Sequence, residues 1–285
     1  MIRLAVRVRR ADAEIVLAEL LALAPAGVEE ADAGPDVVEY AVYGAPGELP
    51  ALPAVRAAAG GALVDVATTE VADDWAERWR AFHRPVTIAG RLHVRAPWHP
   101  PAPAGTHDVV IDPAQAFGTG AHATTRLCLE LLLELDAAAG PGPRGAVVDL
   151  GCGSGVLAIA AVKLGHEPVL GVDHDPLALE ATSDNARANG VSVAVRAYDL
   201  LRDGAAPAAP LVLANLLGPL LERLAANGFA PAAGEKTASG PEALIASGLL
   251  VEEADAIAAA FARRGLRERT RRADGEWAAL LLAPP

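Results

Sequence analysis

The chain has 285 residues, of which 52% are hydrophobic and 21% charged, and 24 Lys and Arg against 36 Asp and Glu give a formal net charge of −12. This length predicts two domains, and this composition predicts a globular chain with a sizeable core. The acidic balance argues against a surface that follows a nucleic-acid duplex, because phosphate binding depends on cationic side chains, and it favours either a basic partner or simple solubility.

The first 69 residues alternate strand and helix patterns. The stretch "IRLAVRVR" has the period-2 alternation of a half-buried strand, and "ADAEIVLAELLAL" has a helical apolar face. Two strand patterns, "GVEEAD" and "DVVEYAVYG", then precede a helix in "GELPALPAVRAAAG" and a strand in "ALVDVATTEV". This βαββαβ order is that of the split ferredoxin-like motif. We therefore predict that residues 1–69 form a small α+β ferredoxin-like domain that recognises the substrate and does not carry the chemistry.

Residues 70–105 are predicted to form an interdomain linker with one short helix. Trp75 and Trp79 stand four residues apart, a spacing at which helical side chains meet. A proline cluster from Pro97 to Pro103 then disfavours regular structure. The tryptophans, including Trp98, fit interdomain packing better than ligand contact.

Residues 106–285 repeat a strand and helix alternation. Short, continuously apolar strands separated by helices indicate a parallel sheet covered on both faces, and the right-handed crossover rule makes it doubly wound. The predicted strands are "AVVDL", "PVLGVD", "VSVAVRA", "APLVLANLL", "EALIASGLL" and "EWAALLLA". A polar, turn-rich insertion at residues 227–242 is predicted to be a long loop.

Three alternating glycines in "VVDLGCGSGVLAI" lie between a predicted strand and helix. A dinucleotide fingerprint would place its third glycine at position 156, where this chain has Val156. Asp149 precedes the loop, and Asp173 ends the next strand, 22 residues after Gly151. Such an acid can bind both ribose hydroxyls, so the pattern favours a ligand with an adenosine and no pyrophosphate, although a tight turn without ligand is the alternative.

Two further parts of the chain are predicted to contribute to ligand binding. Asp199, after the third predicted strand, is placed to reach an adenine amino group, or else is a solvated loop residue. In "DPAQAFGTGAHATTR", Gly118 and Gly120 suit a tight turn, Thr119 offers a hydroxyl to a ligand, and Thr124 can cap the next helix.

The pattern D-L-G-x-G-x-G with a downstream acid resembles motifs I and II of the class I S-adenosylmethionine-dependent methyltransferases. From about residue 73 onward, "AFGTGAHATTRLCLELL", "GVDHDPLALEATSDNARANGV" and "LVLANLLGPLLERLA" are similar to successive motifs of the ribosomal protein L11 methyltransferase family (PrmA type). The resemblance implies a Rossmann-like class I methyltransferase domain at residues 106–285, with S-adenosyl-L-methionine as cofactor and S-adenosyl-L-homocysteine as product. It also implies methylation of amino groups of a large-subunit ribosomal protein, at lysine ε-amines and at an N-terminal α-amine.

The resemblance assigns roles to individual residues. Phe117, Thr119, Gly120, His122 and Thr124 would line the cofactor and substrate pocket, Gly151, Gly153 and Asp173 would hold the cofactor, and Asn215 would lie beside the acceptor amine. Together with Asp149, Gly155 and Asp199 from the loop pattern, these are the predicted cofactor-binding residues.

Asn215 and His122 are the predicted catalytic residues. "LANLL" places Asn215 at the carboxyl end of the fourth strand, where its side-chain oxygen and a neighbouring backbone carbonyl can orient an amine. A strand-end asparagine that only satisfies backbone groups is the alternative. His122 can relay a proton, or can serve in packing or capping.

Two departures from the family keep other functions open. Ala121 and Ala123 stand where the family commonly has a histidine and a glutamate. A methyltransferase acting on a small-molecule or peptide acceptor, and a catalytically silent binding module, therefore remain alternatives. The predicted partner is a basic ribosomal protein, and we expect a monomer without direct specific nucleic-acid binding.

The remaining features predict a cytoplasmic protein. Cys128 and Cys152 lie in apolar runs, which favours a reducing compartment without disulfides. No segment reaches the ~18 apolar residues of a membrane span, so no membrane association is expected. The histidines show no metal-ligand spacing, and no metal is predicted.

Overall fold

The computed structural model describes residues 2–13, 16–17, 20, 23–24, 28–44, 49–70, 83–113, 120–140, 142–230 and 240–285. The chain separates into two compact units, Met1–Phe82 and His83–Pro285. In the described residues, no helix is both long and apolar enough to cross a membrane.

The first unit contains a four-stranded antiparallel sheet. Its elements are β1 (Ile2–Arg9), β2 (Glu29–Asp32), β3 (Val37–Gly44), α1 (Leu52–Ala59) and β4 (Leu63–Glu70), and the strand order is β2-β3-β1-β4. One face is apolar because Leu4, Val6 and Val8 alternate along β1 and pack with Tyr40 and Val55. This strand order is that of a split βαββαβ arrangement. The predicted helix in "ADAEIVLAELLAL" lies partly outside the described residues.

The unit boundary differs from the predicted linker at residues 70–105. Residues 83–105 belong to the second unit, where β5 (Val86–Ile88) and β6 (Leu92–Arg95) join β7 (His107–Val110) in a three-stranded sheet. The alternation of apolar and polar residues in "VTI" and "LHV" is typical of strands, whereas the neighbouring prolines favour irregular structure. The predicted helix with Trp75 and Trp79 lies outside the described residues.

The main sheet of the second unit has seven strands in the order β10-β9-β8-β11-β12-β14-β13. The strands are β8 (Val147–Leu150), β9 (Val169–Asp173), β10 (Ala194–Ala197), β11 (Leu211–Asn215), β12 (Ala243–Leu250), β13 (Arg267–Asp274) and β14 (Trp277–Ala283). The helices are α2 (Ala123–Ala138), α3 (Val156–Lys163), α4 (Pro176–Ala188), α5 (Gly218–Asn227) and α6 (Ala254–Ala262).

The two faces of this sheet have separate cores. Leucines of α2 and the apolar residues of α3 pack on one face, and Leu221, Leu224 and Phe261 from α5 and α6 pack on the other. The chain runs outward from β8 to β10 and then returns to β11 beside β8. This arrangement confirms the predicted doubly wound α/β sheet and creates a switch point between β8 and β11.

The C-terminal hairpin is the main departure from the predicted all-parallel sheet. β14 runs antiparallel to both β12 and β13. β13, "RERTRRAD", was not predicted, because an exposed edge strand made mostly of charged residues carries no apolar alternation. The predicted insertion at 227–242 lies largely outside the described residues.

Asp136 at the end of α2 connects three parts of the second unit. Its side chain is 8% exposed and pairs with Arg91 at 2.5 Å and with Arg144 at 2.7 Å. Burial alone would raise the pKa of Asp136, but hydrogen bonds from Arg91 and Arg144 outweigh it and hold the pKa below its usual value. The ion pairs therefore fix α2 against the β5–β6 turn and the entry to β8.

We predict that Asp136→Asn lowers the free energy of unfolding at pH 7 by about 2 kcal/mol, because it leaves the largely buried Arg144 and the partly exposed Arg91 without their charged acceptor. The folded-state pKa is depressed, so this stabilisation is present above the unfolded pKa of about 3.9 and is lost as pH falls through the folded value. Urea unfolding at pH 7 and at pH 3 measures both effects. Asp184→Asn, which removes an exposed pair with Arg187, is the control and should change stability little. Equal losses for the two variants would contradict the prediction.

Candidate functional site

The carboxyl ends of the parallel strands bring most of the predicted residues to one edge. Leu150 of β8 pairs with Val172 of β9 and with Ala214 of β11. Asp173 ends β9 and Asn215 ends β11, each one residue beyond these pairs. The glycine loop, Asp173 and Asn215 therefore meet at the switch point, where open α/β sheets bind ligands.

The glycine loop requires glycine for two reasons. Gly151, Gly153 and Gly155 have φ of +70°, +52° and +80°. A Cβ at Gly151 would lie 2.6 Å from Leu216 Cδ2, and one at Gly155 would lie 2.9 Å from Thr182 Cγ2. Both the left-handed backbone and the close packing exclude a side chain at these two positions.

Asp173 is held against this loop. Its Oδ2 accepts a hydrogen bond from the Gly153 N–H at 3.1 Å, and its Oδ1 accepts one from the Asp175 N–H at 3.1 Å. The side chain is only 10% exposed, although His174 Nδ1 approaches Oδ1 at 3.2 Å. The structure thus brings together the loop and the acid, as the sequence indicates, and ribose binding by Asp173 stays a prediction.

Asp149 lies beneath the loop. It is 1% exposed, its Oδ2 accepts a hydrogen bond from the Ala158 N–H at 3.1 Å, and its buried Oδ1 has no hydrogen-bond partner in the described residues. Burial raises the pKa of Asp149 to about 7; the Ala158 N–H opposes this rise and the Asp173 charge adds to it. The carboxyl group therefore supports the start of α3, and contact with a cofactor stays a prediction.

Asp199 lies next to Asp173 but is engaged in its own turn. The Tyr198 N–H donates to the Asp173 carbonyl at 2.9 Å. Asp199 Oδ1 accepts from the Leu201 N–H at 2.9 Å, and Oδ2 lies 3.3 Å from Arg202 Nε. These contacts support the loop role, and an adenine contact stays a prediction.

The start of α2 corrects the predicted cap. His122, and not Thr124, is the N-cap residue; its Nδ1 accepts from the Thr124 N–H at 3.4 Å and lies 2.8 Å from Thr124 Oγ1. Its ring meets the Trp277 ring edge to face at 5.2 Å between centroids. Burial, and then the charge of Arg126, lower the pKa of His122. Packing and capping, the alternative considered for this histidine, is what these contacts support.

Gly120 is the first described residue of the loop that enters α2. It has φ of +83°, and a Cβ there would lie 2.7 Å from Val94 Cγ1, so glycine is required. Phe117, Gly118 and Thr119 lie outside the described residues, and their predicted roles are untested.

Asn215 projects from the end of β11 beside two residues that the sequence did not indicate. Its Nδ2 lies 3.4 Å from Oγ1 of the fully buried Thr125. A Cβ at Gly248 would lie 3.0 Å from Asn215 Oδ1 and 2.5 Å from the Leu216 carbonyl oxygen, so both oxygens pack directly against Gly248 and a side chain is excluded there. The second threonine of "ATTR" and the glycine that interrupts the apolar run "ALIASGLL" were the available signals.

Among the described residues, neither the cysteines nor any group of titratable side chains forms a further reactive centre at the site. Cys128 and Cys152 are free and buried, and burial raises the pKa of Cys152 to about 12. Both thiols are therefore protonated at neutral pH. In the part of the chain that the structure describes, no group of three His, Cys, Asp or Glu side chains could hold a metal ion.

An open cavity of about 510 Å³ lies at the opposite, amino-terminal edge of the sheet, where its lining includes Arg144, His166 and Pro210. Arg144 is already paired with Asp136 there, and the His166 ring contacts the Gly145 carbonyl at 3.0 Å. The switch-point edge therefore remains the candidate site.

Comparisons with known proteins identify the family to which the chain is similar. The family model described as ribosomal protein L11 methyltransferase (PrmA) matches residues 54–284. The ribosomal protein L11 methyltransferase of Syntrophotalea carbinolica is 42% identical over 224 residues, which cover 76% of this chain and 70% of that protein. That of Alteromonas mediterranea is 40% identical over 207 residues, covering 72% and 66% respectively. The matches thus span about two thirds of the length of these relatives.

A solved structure shows the same similarity. The crystal structure of ribosomal protein L11 methylase from Lactobacillus delbrueckii subsp. bulgaricus superposes with a TM-score of 0.57 and 27% identity. It covers 70% of this chain and 98% of that chain. The similarity therefore extends through most of the residues that form the second unit's sheet.

We predict that Asp149→Asn changes how stability depends on pH. An aspartate whose folded pKa is raised from about 3.9 to about 7 destabilises the fold progressively as pH rises between those values. The amide keeps the bond to the Ala158 N–H and does not ionise, so the variant should gain stability relative to wild type from pH 5 to pH 8. Urea unfolding across this range measures the difference, and a constant difference would refute the prediction.

Variants of His122 separate capping from proton relay. Asparagine is a favourable N-cap, so His122→Asn should keep the stability and retain turnover within about threefold, whereas His122→Ala should lose about 1 kcal/mol of stability. Thermal unfolding and turnover at saturating cofactor are the measurements. Loss of turnover in both variants, with His122→Asn still stable, would instead establish His122 as a proton carrier.

Proposed function

Because the chain belongs to the ribosomal protein L11 methyltransferase (PrmA) family, we propose that it methylates amino groups of ribosomal protein L11, at lysine ε-amines and at the N-terminal α-amine. The fold is that of the class I methyltransferases, and the cofactor is S-adenosylmethionine, with S-adenosylhomocysteine as product. Modification of lysine and of the α-amine is the part that goes beyond the family relationship.

The edge of the sheet fits this cofactor. The glycine loop turns the chain at the carboxyl end of β8, at the switch point where open α/β sheets bind ligands. Asp173 supplies a carboxylate at the end of β9, where it would hold ribose hydroxyls. When bound, the cofactor supplies a sulfonium methyl group that an amine takes by in-line displacement.

The observation that carries the proposed reaction is the pair of acceptors at the end of β11. Asn215 Oδ1 and the Leu216 carbonyl oxygen both lie beside Gly248 and so lie close to each other. Two hydrogen bonds accepted from one neutral amine would fix the direction of its lone pair. Asn215 Nδ2 donates to Thr125 Oγ1, so Oδ1 remains as a hydrogen-bond acceptor for the substrate amine. Such positioning, more than acid–base chemistry, is what this displacement requires.

We assign substrate recognition to the first unit, with a basic ribosomal protein as partner. Its edge strand β2 presents the exposed residues Glu29, Glu30 and Asp32, of which Asp32 pairs with Arg10 and Glu29 accepts a hydrogen bond from the Tyr43 hydroxyl. These carboxylates, and the net charge of −12, complement a cationic surface. Action as a monomer in the cytoplasm, without direct specific nucleic-acid binding, belongs to the same proposal.

The direct test is intact-mass analysis of unmethylated ribosomal protein L11 after incubation with the full chain and S-adenosylmethionine. We expect mass increases in whole methyl steps. An acetylated substrate N-terminus should remove only the α-amine additions, and Lys→Arg substrates should remove the others. Cofactor binding without added mass would indicate another acceptor, and absence of cofactor binding by calorimetry would indicate a silent binding module.

Within this assay, Asn215→Ala should lower kcat by about 10²-fold, because it removes an acceptor that orients the amine in the transition state. The Kd for S-adenosylmethionine should change far less. Thr125→Val removes only the oxygen that engages Asn215 and should lower kcat by a smaller factor. An unchanged kcat in Asn215→Ala would leave the residue with a backbone-satisfying role alone.

A further inference from the structure

Helix α4 carries two asparagines one turn apart that bind backbone outside the helix. Asn185 is 4% exposed; its Nδ2 donates to the Ser154 carbonyl at 2.9 Å, and its Oδ1 accepts from the Asp112 N–H at 2.9 Å. Asn189 Oδ1 accepts from the Val110 N–H at 2.8 Å, and its Nδ2 donates to the Val110 carbonyl at 2.6 Å. Both residues thus fix the strand β7 and its continuation to α4.

The two asparagines differ in what they connect. In the described residues, the Asn189 side chain binds only Val110 outside the helix, whereas the Asn185 side chain connects two distant segments through one planar amide. One segment is the glycine loop, at Ser154. The other is Asp112, where the chain leaves β7 and enters "DPAQAFGTG", the stretch in which Phe117 and Thr119 are predicted to contact the cofactor. Asn185 therefore determines the spacing between these two segments.

A second side chain of α4 strengthens this connection on the glycine-loop side. Thr182 Oγ1 donates to the Gly153 carbonyl at 2.9 Å, and the fully buried Thr182 packs at Gly155. Because Thr182 and Asn185 are three residues apart, they lie on one helix face. The loop is thus held at consecutive residues from Gly153 to Gly155, which restricts its movement relative to α4.

The chemistry of the amide explains why asparagine is needed at 185. The Ser154 carbonyl requires a donor and the Asp112 N–H requires an acceptor, and an amide offers both in one plane. A carboxylate offers only acceptors, and an aliphatic side chain would leave both buried backbone groups unpaired. Few other side chains of this size offer both a hydrogen-bond donor and an acceptor in one plane.

We propose that Asn185 is a positioning residue for cofactor binding, which fixes the glycine loop and the segment entering residues 114–119 at the separation that S-adenosylmethionine requires. The inference rests on the proposed function for its cofactor and goes beyond it in assigning this role. The amide acts through the backbone of both segments. Its loss should therefore weaken cofactor binding before it affects the acceptor at Asn215.

The test compares Asn185→Ala with Asn189→Ala in the full chain. Both variants lose partly buried hydrogen bonds to the β7 segment and its continuation, but only the first loses the buried connection to the glycine loop. Calorimetry with S-adenosylmethionine and with S-adenosylhomocysteine, below both melting temperatures, gives the Kd. We expect a rise of about tenfold or more for Asn185→Ala and a rise of less than about threefold for Asn189→Ala, since displacements well under 1 Å are enough to weaken a fitted site.

Turnover and an isosteric variant complete the test. For Asn185→Ala, KM for the cofactor should rise while kcat at saturating cofactor stays within about threefold of wild type. Asn185→Asp keeps the acceptor for the Asp112 N–H but places an oxygen against the Ser154 carbonyl, so its Kd should rise at least as much. Wild-type affinity in Asn185→Asp, or equal rises in the 185 and 189 variants, would overturn the inference. Failure of the wild type to bind S-adenosylmethionine would instead refute the proposed function.

Discussion

The site depends on one backbone constraint, the turn from β8 into α3 within five residues. Gly151 N–H and Cys152 N–H both donate to the Val172 carbonyl, at 2.8 and 3.1 Å, which bends the chain sharply at the end of the strand. Left-handed glycines make this bend possible, and their missing side chains let Leu216 and Thr182 pack against the loop. The turn is therefore fixed both by the left-handed backbone and by the packing of Leu216 and Thr182 against it.

The acceptor end of the site arises from the parallel register. Asn215 pairs with Ser247, so the end of β11 lies directly beside the Gly248 irregularity in β12. The Ser247 hydroxyl contacts the Thr124 carbonyl at 3.1 Å, and Thr125 contacts Asn215, which places the start of α2 over the same edge. The glycine loop and Asn215 are therefore separated by only the β8–β11 switch point. Their relative position is set by the sheet and not by loops.

The sequence predicted the features that depend on a local pattern of residues. Alternating glycines between an apolar strand and a helix, followed by Asp173, predicted the loop at the switch-point edge, and the resemblance of these motifs to a known family supplied the cofactor class. It did not reveal contacts made by residues far apart in the chain. Thr125 contacts Asn215 across 90 positions, and Asn185 contacts Asp112 across 73, and neither pairing has a local signature.

The predictions that failed did so for two physical reasons. Strand β13 has no apolar alternation because it is an exposed edge strand, and β5 and β6 are short strands followed by prolines. The cap of α2 was assigned to Thr124 because threonine is a common N-cap, yet His122, two residues earlier, supplies the accepting nitrogen. In both cases the position of the residues in the folded chain, and not the structural preference of their residue types, determined the local structure.

Asp149 and Asp173, the two aspartates of the motif, differ in burial, and this difference affects the charge at the edge of the sheet. Asp149 is enclosed, one of its oxygens has no hydrogen-bond partner among the described residues, and it lies close enough to Asp173 for that charge to contribute to its raised pKa. The charge of Asp173 and the burial of Asp149 therefore act in the same direction, because both disfavour the ionised form of Asp149. Asp173 is held at the end of β9 by the N–H groups of Gly153 and Asp175. Proton uptake by Asp149 near neutral pH removes a negative charge from beneath the position where the ribose is expected, and its Oδ2 still accepts from the Ala158 N–H at the start of α3.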